Sequence, residues 1–489
     1  VTEFPNKIPV SFSAIAPEAI LLIAAAVLLA VAVFLPARAA RAGSGLVAAA
    51  AFVAAAVVSA VQFHHAARFA FDQTLRIDSF GQAARLIVFS AGLLTVILGQ
   101  GEDGADDRPV EFHALLLTAA AGMSLLAVAN SFVTLFVALE LFSLALYVLV
   151  AIRTEREPGL EGAFKYLLIG SVGAAFLLYG SALVYGSTGQ LEFTRIRTAL
   201  SSGQSHPVLL MAGLALVAVG LTFKANAAPF HLWTPDAYQG APTPVTAFMS
   251  ASTKATALIA VMRVLVVSFP RQAEVWEIAV AAVAITSFVL GNLGALRQTD
   301  VKRMLAYSTI GHTGFLLTAV AADSAAGARA LLYYLAVYAA MNVGAFALLA
   351  VRERELGRPV AIADFTGWGY RRPLLGAAML VFMLSLAGFP PTGGFLGKLY
   401  IFSAAVQAGQ TWLAIVGVVA TMVALVYYLK IPLALYDRVE GDERVAAPVR
   451  LDMAAAGVTV LAAVLVLVAG VAPSPLLDLA RTAGSSLFS

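Results

Sequence analysis

The chain has 489 residues, 61% of them hydrophobic and only 12% charged, with a mean hydropathy of +0.88 and a formal net charge of +3. A soluble fold of this length could not hide so much apolar surface, so the composition reads as an integral membrane protein. The absence of cysteine excludes disulfides, iron–sulfur clusters and thiolate metal sites, and no basic arm or aromatic–basic run supports a nucleic-acid partner.

The first residues carry no basic run ahead of a small-residue cleavage site, so no removable leader is expected there. A span needs roughly 20 apolar residues. Fourteen such runs are predicted, near 14–36, 45–63, 79–99, 110–129, 131–152, 161–185, 206–240, 243–267, 274–296, 301–322, 327–351, 373–408, 411–436 and 450–471. All are read as helices, because hydrocarbon offers no partner for loose backbone groups. Loops after odd-numbered spans hold sixteen Lys and Arg, against eight on the other side. The positive-inside rule then places both termini outside and the odd loops in the cytoplasm.

Two spans are interrupted. The seventh breaks at "KANAAPFHLWTP" beside Lys224, and the twelfth at "LAGFPPTGGFLGK" beside Lys398. The breaks lie five spans apart, so the two broken helices enter the membrane from opposite faces. Paired breaks in corresponding halves point to a transport site. A proline kink relieved by neighbouring helices is the plainer reading of either break alone. The expectation is an all-α polytopic membrane protein of about 14 transmembrane helices. Two inverted five-helix repeats (helices 4–8 and 9–13) each contain one broken helix. The segments are 1–109, helices 1–3; 110–267, the first repeat; 274–436, the second; and 450–489, helix 14 and the tail.

A charge at mid-bilayer costs ~2.5–3.5 kcal/mol even on a lenient scale, yet ionisable residues recur inside the spans. Glu140 lies in "FVALELFSLALYVLVA", Lys165 in "GAFKYLLIGSVGA", Lys254 in "MSASTKATALIA" and His312 in "AYSTIGHTGFLL". Polar neighbours follow at helical spacing: Ser250 with Lys254, Ser308 with His312, and the stripe Tyr334, Tyr338, Asn342. Arg85, Arg263 and Lys430 lie nearer span ends and are read as snorkelling to an interface. The bland reading of His312 is a satisfied core histidine, that of Glu140 with Lys224 a structural ion pair, and that of the tyrosine stripe packing. A desolvated amine exchanges its proton more easily than one in water, and a nearby carboxylate restores its hold. Glu140 and Lys224 thus form a candidate switch, continued by Lys254, His312 and Lys398. No phosphate loop, dinucleotide fingerprint or trustworthy haem-type histidine pair occurs, so the energy is expected from an ion gradient or partner subunits.

From about the second span to the last, the chain resembles the antiporter-like membrane subunits of respiratory complex I and their Mrp-type cation/proton antiporter relatives. The residues that carry the likeness are Glu140, Lys224 before "PFHLWTPDAYQGAPTPVTAF", Lys254, "DVKRMLAYSTIGHTGF" and "GFPPTGGFLGKLYIF". Lysine at 398, where one sibling chain has glutamate, and no long lateral helix after the last span select one branch of that family. The resemblance implies proton translocation driven by quinone reduction elsewhere in a complex, in a bacterial plasma membrane. It assigns Glu140 and Lys224 to the family's charged pair, Lys165 to its modulating lysine, Lys254 to its bridging residue and Lys398 to its exit side. His312 rests on position alone. The resemblance implies no cofactor in this chain: NADH, flavin, iron–sulfur clusters and quinone would belong to partner subunits. The partners would be other membrane subunits, including sibling antiporter-like chains. A Mrp-type antiporter subunit, a membrane-bound hydrogenase chain and a non-transporting assembly scaffold stay open at this point.

Overall fold

The computed structural model describes residues 11–34, 37–100, 108–203, 205–437 and 452–488. Lys7, Arg438, Arg444, Arg450 and the side chains of Arg38 and Arg41, which entered the charge tally, lie outside the described residues.

In chain order, α1 (Ala16–Ala32) and α2 (Ala37–Phe63) precede a small antiparallel hairpin of β1 (Arg68–Ala70) and β2 (Leu75–Ile77). Then follow α3 (Ser79–Leu98), α4 (Pro109–Val128), α5 (Phe132–Val150), α6 (Glu157–Thr188) and a short helix, α7 (Phe193–Ser201). The first broken span is α8 (Pro207–Lys224) and α9 (Thr234–Gly240). The next consists of α10 (Thr243–Phe248), a π-helical turn at Met249–Thr253, α11 (Lys254–Arg263) and a second π turn at Val264–Ser268. The second half holds α12 (Ala273–Leu296), α13 (Val301–Ala321), α14 (Ala325–Leu356) and the single turn α15 (Trp368–Arg371). The second broken span is α16 (Pro373–Ala387) and α17 (Gly393–Gln407). It is followed by α18 (Thr411–Leu435), α19 (Met453–Val471) and α20 (Ser474–Phe488).

Thirteen helices among the described residues are long and apolar enough to cross a membrane. The fourteenth expected span is the pair α16–α17, whose halves are each too short to count alone. The hairpin at 68–77 is an exception to the all-helical reading, and sits between spans rather than within one.

Local chemistry sets the helix ends. Asp78, Asp300 and Ser324 accept hydrogen bonds from the free amides that open α3, α13 and α14. Pro109, Pro207 and Pro373 begin α4, α8 and α16, where a missing N–H costs nothing. Gly388 leaves α16 at φ +92°, a left-handed conformation that side chains rarely tolerate.

The centre of the molecule is the stretch Thr243–Ser268 with α13 and α14. The apolar window of Thr243–Ser268 is 100% buried, whereas that of the first helix is only 33% buried. The outer helices therefore leave much of their surface uncovered by this chain, whereas the inner ones are packed almost wholly within it. Lys254, Arg263 and His312 on these inner helices are buried in protein.

Candidate functional site

The broken spans open the backbone at the depth where it is most costly to do so, and side chains meet the freed groups. At the first break, Thr313 Oγ1 donates to the Ala225 carbonyl at 2.9 Å and the Ala228 N–H donates to Ser287 Oγ at 2.9 Å. At the second, Lys398 Nζ donates to the carbonyls of Leu386 (2.9 Å) and Ala387 (3.1 Å), and the Gly394 N–H donates to Ser385 Oγ at 3.1 Å. Lys398 thus caps the carbonyl end of α16 from α17. That is where a helix dipole favours a cation.

Lys224 is the last residue of α8 and is buried. Its Nζ donates to Ser143 Oγ at 2.7 Å. The amine also lies 5.2–5.7 Å from the ring centres of Phe142, Tyr147, Tyr166 and Phe223. An aromatic cage of this kind holds a cation by its ring faces. Glu140 stands three residues before Ser143 on α5, one turn away on the same face. Its Oε1 is buried without a hydrogen-bond partner. The direct Glu140–Lys224 ion pair of the bland reading is not formed: the amine donates to Ser143.

Lys254 opens α11 and is fully buried. Its Nζ donates to the Thr309 carbonyl and to Thr313 Oγ1 (2.8 Å), and lies 5.0 Å from the Tyr338 ring centre. Thr313 therefore touches both Lys254 and the backbone just after Lys224. The Tyr338 hydroxyl donates to Thr309 Oγ1 at 3.0 Å. Ser250, four residues before Lys254, makes its hydrogen bond within its own helix and not to that amine. The stretch Met249–Thr253 is a π turn, in which Ser250 Oγ bonds back to the Ala247 carbonyl.

His312 is buried between two tyrosines, with Nε2 2.8 Å from the Tyr428 hydroxyl and Nδ1 2.7 Å from that of Tyr334. Tyr428 also bonds Ser308 Oγ. The tyrosine stripe of α14 is thus hydrogen-bonded to the polar file as well as packed in it. Between His312 and Lys398 lies the Phe315 ring, 5.8 Å from the imidazole and 4.6 Å from the amine. Lys224, Lys254, His312 and Lys398 form one buried file through α8, α11, α13 and α17.

Lys165 lies apart from this file. Its Nζ is 2.6 Å from both Glu161 and Asp236, with its side chain 40% exposed. Arg85 and Arg263 correct the snorkelling expectation. Arg85 is paired with Glu18 at 2.6 Å, and Arg263 holds Asp78 through two 2.7 Å hydrogen bonds. Both arginines are fully buried, because a carboxylate on another helix meets each inside the protein. Lys430 is half-buried, and donates to the Leu296 carbonyl at 2.7 Å. Ser143, Thr309, Thr313, Tyr334 and Tyr428 were not singled out as connecting groups from sequence. The one available signal was helical spacing: Ser143 follows Glu140 by three, and Thr309 and Thr313 flank His312. No group of three or more candidate metal ligands occurs among the described residues.

Known proteins share this architecture. A family model described as NADH:quinone oxidoreductase/Mrp antiporter, TM, matches residues 129–424. NADH-quinone oxidoreductase subunit N of Trichlorobacter lovleyi is 38% identical over 482 residues, covering 97% of each chain. The subunit N of Salinibacter ruber is 42% identical over 416 residues, or 82% of each. A chain of respiratory complex I from Thermus thermophilus with bound aureothin has a TM-score of 0.80 and 36% identity, covering 95% of this chain and 99% of that one. A chain of the Mrp complex from Dietzia sp. DQ12-45-1b has a TM-score of 0.83 at 23% identity, covering 97% of this chain and 98% of that one, a likeness of fold. On its matched length and these identities, the chain belongs to the NADH:quinone oxidoreductase/Mrp antiporter transmembrane family.

Proposed function

We propose that the chain is a proton-translocating membrane subunit of an NADH–quinone oxidoreductase, moving protons along the buried file while quinone is reduced elsewhere in the complex. The observation that carries this is the file itself. Three lysines and a histidine lie inside a molecule that could have kept those positions apolar, each with hydrogen-bond partners that bind a proton-bearing group. A purely structural role would be served by paired charges such as Arg85–Glu18, and the file has no paired carboxylate of that kind.

In this reading Lys224 holds its proton while the Glu140 charge, one turn from Ser143, acts on it. Withdrawing that influence frees the proton toward Ala225 and Thr313, and so toward Lys254. His312, with a tyrosine on each ring nitrogen, carries the path on, and Lys398 is the terminal site. The inverted repeats 110–267 and 274–436 follow from the two lysine-bearing breaks, and an outer placement of both termini follows from the charge tally. NADH, flavin, iron–sulfur clusters and quinone belong to partner subunits, among them sibling antiporter-like chains. The 38% and 42% identities to subunit N favour this reading over a Mrp antiporter, whose 23% likeness speaks to fold alone.

The test is Lys224→Ala in the intact complex in sealed membrane vesicles. NADH-driven proton uptake per assembled complex is expected to fall about a hundredfold, the scale of losing a proton-transfer group. Native uptake would discard the proposal.

A further inference from the structure

Lys165 presents a difficulty that the relay does not resolve. It is the residue before Tyr166, whose ring walls Lys224, yet its own amine points to Glu161 and Asp236. Its exposed i,i+4 pair with Glu161 is of a kind worth little. Asp236 is different, because it joins three helices. Its Oδ2 takes Lys165 of α6 at 2.6 Å, and its Oδ1 takes Arg303 NH1 of α13 at 2.6 Å. The same Arg303 nitrogen donates to Gln239 Oε1 at 3.0 Å, one turn further along α9.

The position of α9 is not set by α8, since the break between Lys224 and Thr234 carries no continuous helical hydrogen bonding. It must be pinned from outside. Two pins join α9 to α6: the Asp236–Lys165 bond and the stack of Trp233 on Tyr166, with ring centres 4.0 Å apart and planes 10° from parallel. The pins are neighbours on α6, at Lys165 and Tyr166, and lie one turn apart at the start of α9, at Trp233 and Asp236. Backbone contact lets them close, because a Cβ at Gly162 would lie 2.7 Å from the Asp236 carbonyl oxygen. Trp233 also meets Phe223, another wall of the Lys224 cage. On the other side, Arg303 belongs to α13, which two turns later presents Thr309 and Thr313 to Lys254.

We infer that Asp236 is a positioning residue for proton transfer: by holding Lys165 and Arg303 together it sets α9 so that Trp233 backs Tyr166 and Phe223, two walls of the Lys224 cage, in register with the α13 threonines that hold Lys254. Lys165 then influences the relay through Asp236 and Trp233, not by direct contact with Lys224. This rests on the proton-translocation reading above.

The experiment measures NADH-driven proton uptake in sealed vesicles, per assembled complex, for Asp236→Asn, Lys165→Met, their double variant and Asp236→Glu. Each of the first two is expected to lower uptake about tenfold, within the coupling seen between residues of one ion-pair network. The double variant should be no worse than Asp236→Asn, and Asp236→Glu should recover most of the native rate. Native uptake in Asp236→Asn, multiplied losses in the double variant, or no recovery with Glu would each overturn the inference. Should Asp236→Asn fail to assemble, Lys165→Met/Arg303→Met empties both arms of the carboxylate. A tenfold loss there supports the inference and a native rate overturns it. Lys224→Ala, run alongside, separates the two claims. Its native uptake would sink the relay itself, whereas its loss beside a native Asp236→Asn would sink only the role of Asp236.

Discussion

Lys254 shows how much one buried side chain can be asked to do. An ammonium has three donors and no acceptor, and two of these go to the Thr309 carbonyl and Thr313 Oγ1 while the Tyr338 ring faces the amine. Lys254→Met keeps the length and fills the space but carries no proton. Proton uptake per assembled complex is expected to fall about a hundredfold, with the amount of assembled complex on a native gel near that of the parent. Uptake at the parent rate would remove Lys254 from the path. That Lys254 is buried could be read from its sequence neighbours, because no interface lies within reach of a lysine there. Its partners could not, because threonine and tyrosine are ordinary in such spans, and only packing decides which of them faces an amine.

At the scale of elements, the two breaks were readable because glycine and proline interrupt otherwise continuous apolar runs. How the broken halves meet was not. In the second break, a Cβ on Gly394 would lie 2.0 Å from the Ser385 carbonyl oxygen, so α16 and α17 close on each other at a point only glycine allows. Gly394→Ala is expected to force the halves apart at a cost of about 1–3 kcal/mol and to draw Lys398 away from its two carbonyls. The measurements are thermal inactivation of the complex, which should shift downward, and proton uptake, which should fall with it. Unchanged values for both would show that the halves tolerate separation. The π turns around Lys254 and Arg263 left no trace in the pattern of apolar residues. In a stretch buried on every side, no polar face marks the helical period.

Across the whole molecule, buried charge serves two purposes. Asp78 opens α3 and accepts two hydrogen bonds from Arg263 at the end of α11. It also lies 3.2 Å from Arg76, whose other guanidinium nitrogen donates to the Ser486 carbonyl of α20. One carboxylate thus ties the first part of the chain to the middle and, through Arg76, to the last helix. Asp78→Asn leaves Arg263 buried without a countercharge, a loss of about 3–5 kcal/mol. The yield of assembled complex and its melting temperature should both drop, while proton uptake per surviving complex stays near the parent value. A native yield and melting temperature would mean the clamp is dispensable.

By itself, the sequence determined that the chain is a helical membrane protein, where two of its spans break and that Lys224, Lys254, His312 and Lys398 lie deep. Each of these depends on local chemistry, namely twenty apolar residues in hydrocarbon, a proline without its N–H, or a charge far from water. Only the tertiary structure decided which buried charges are tied to a carboxylate and which lie in the file of Lys224, Lys254, His312 and Lys398. The arginines near span ends turned out to be clamps, and Lys165 turned outward to Asp236. That division depends on which helix faces another, and residues far apart in the chain, such as Asp78 and Arg263, carry no mark of their meeting until the helices pack.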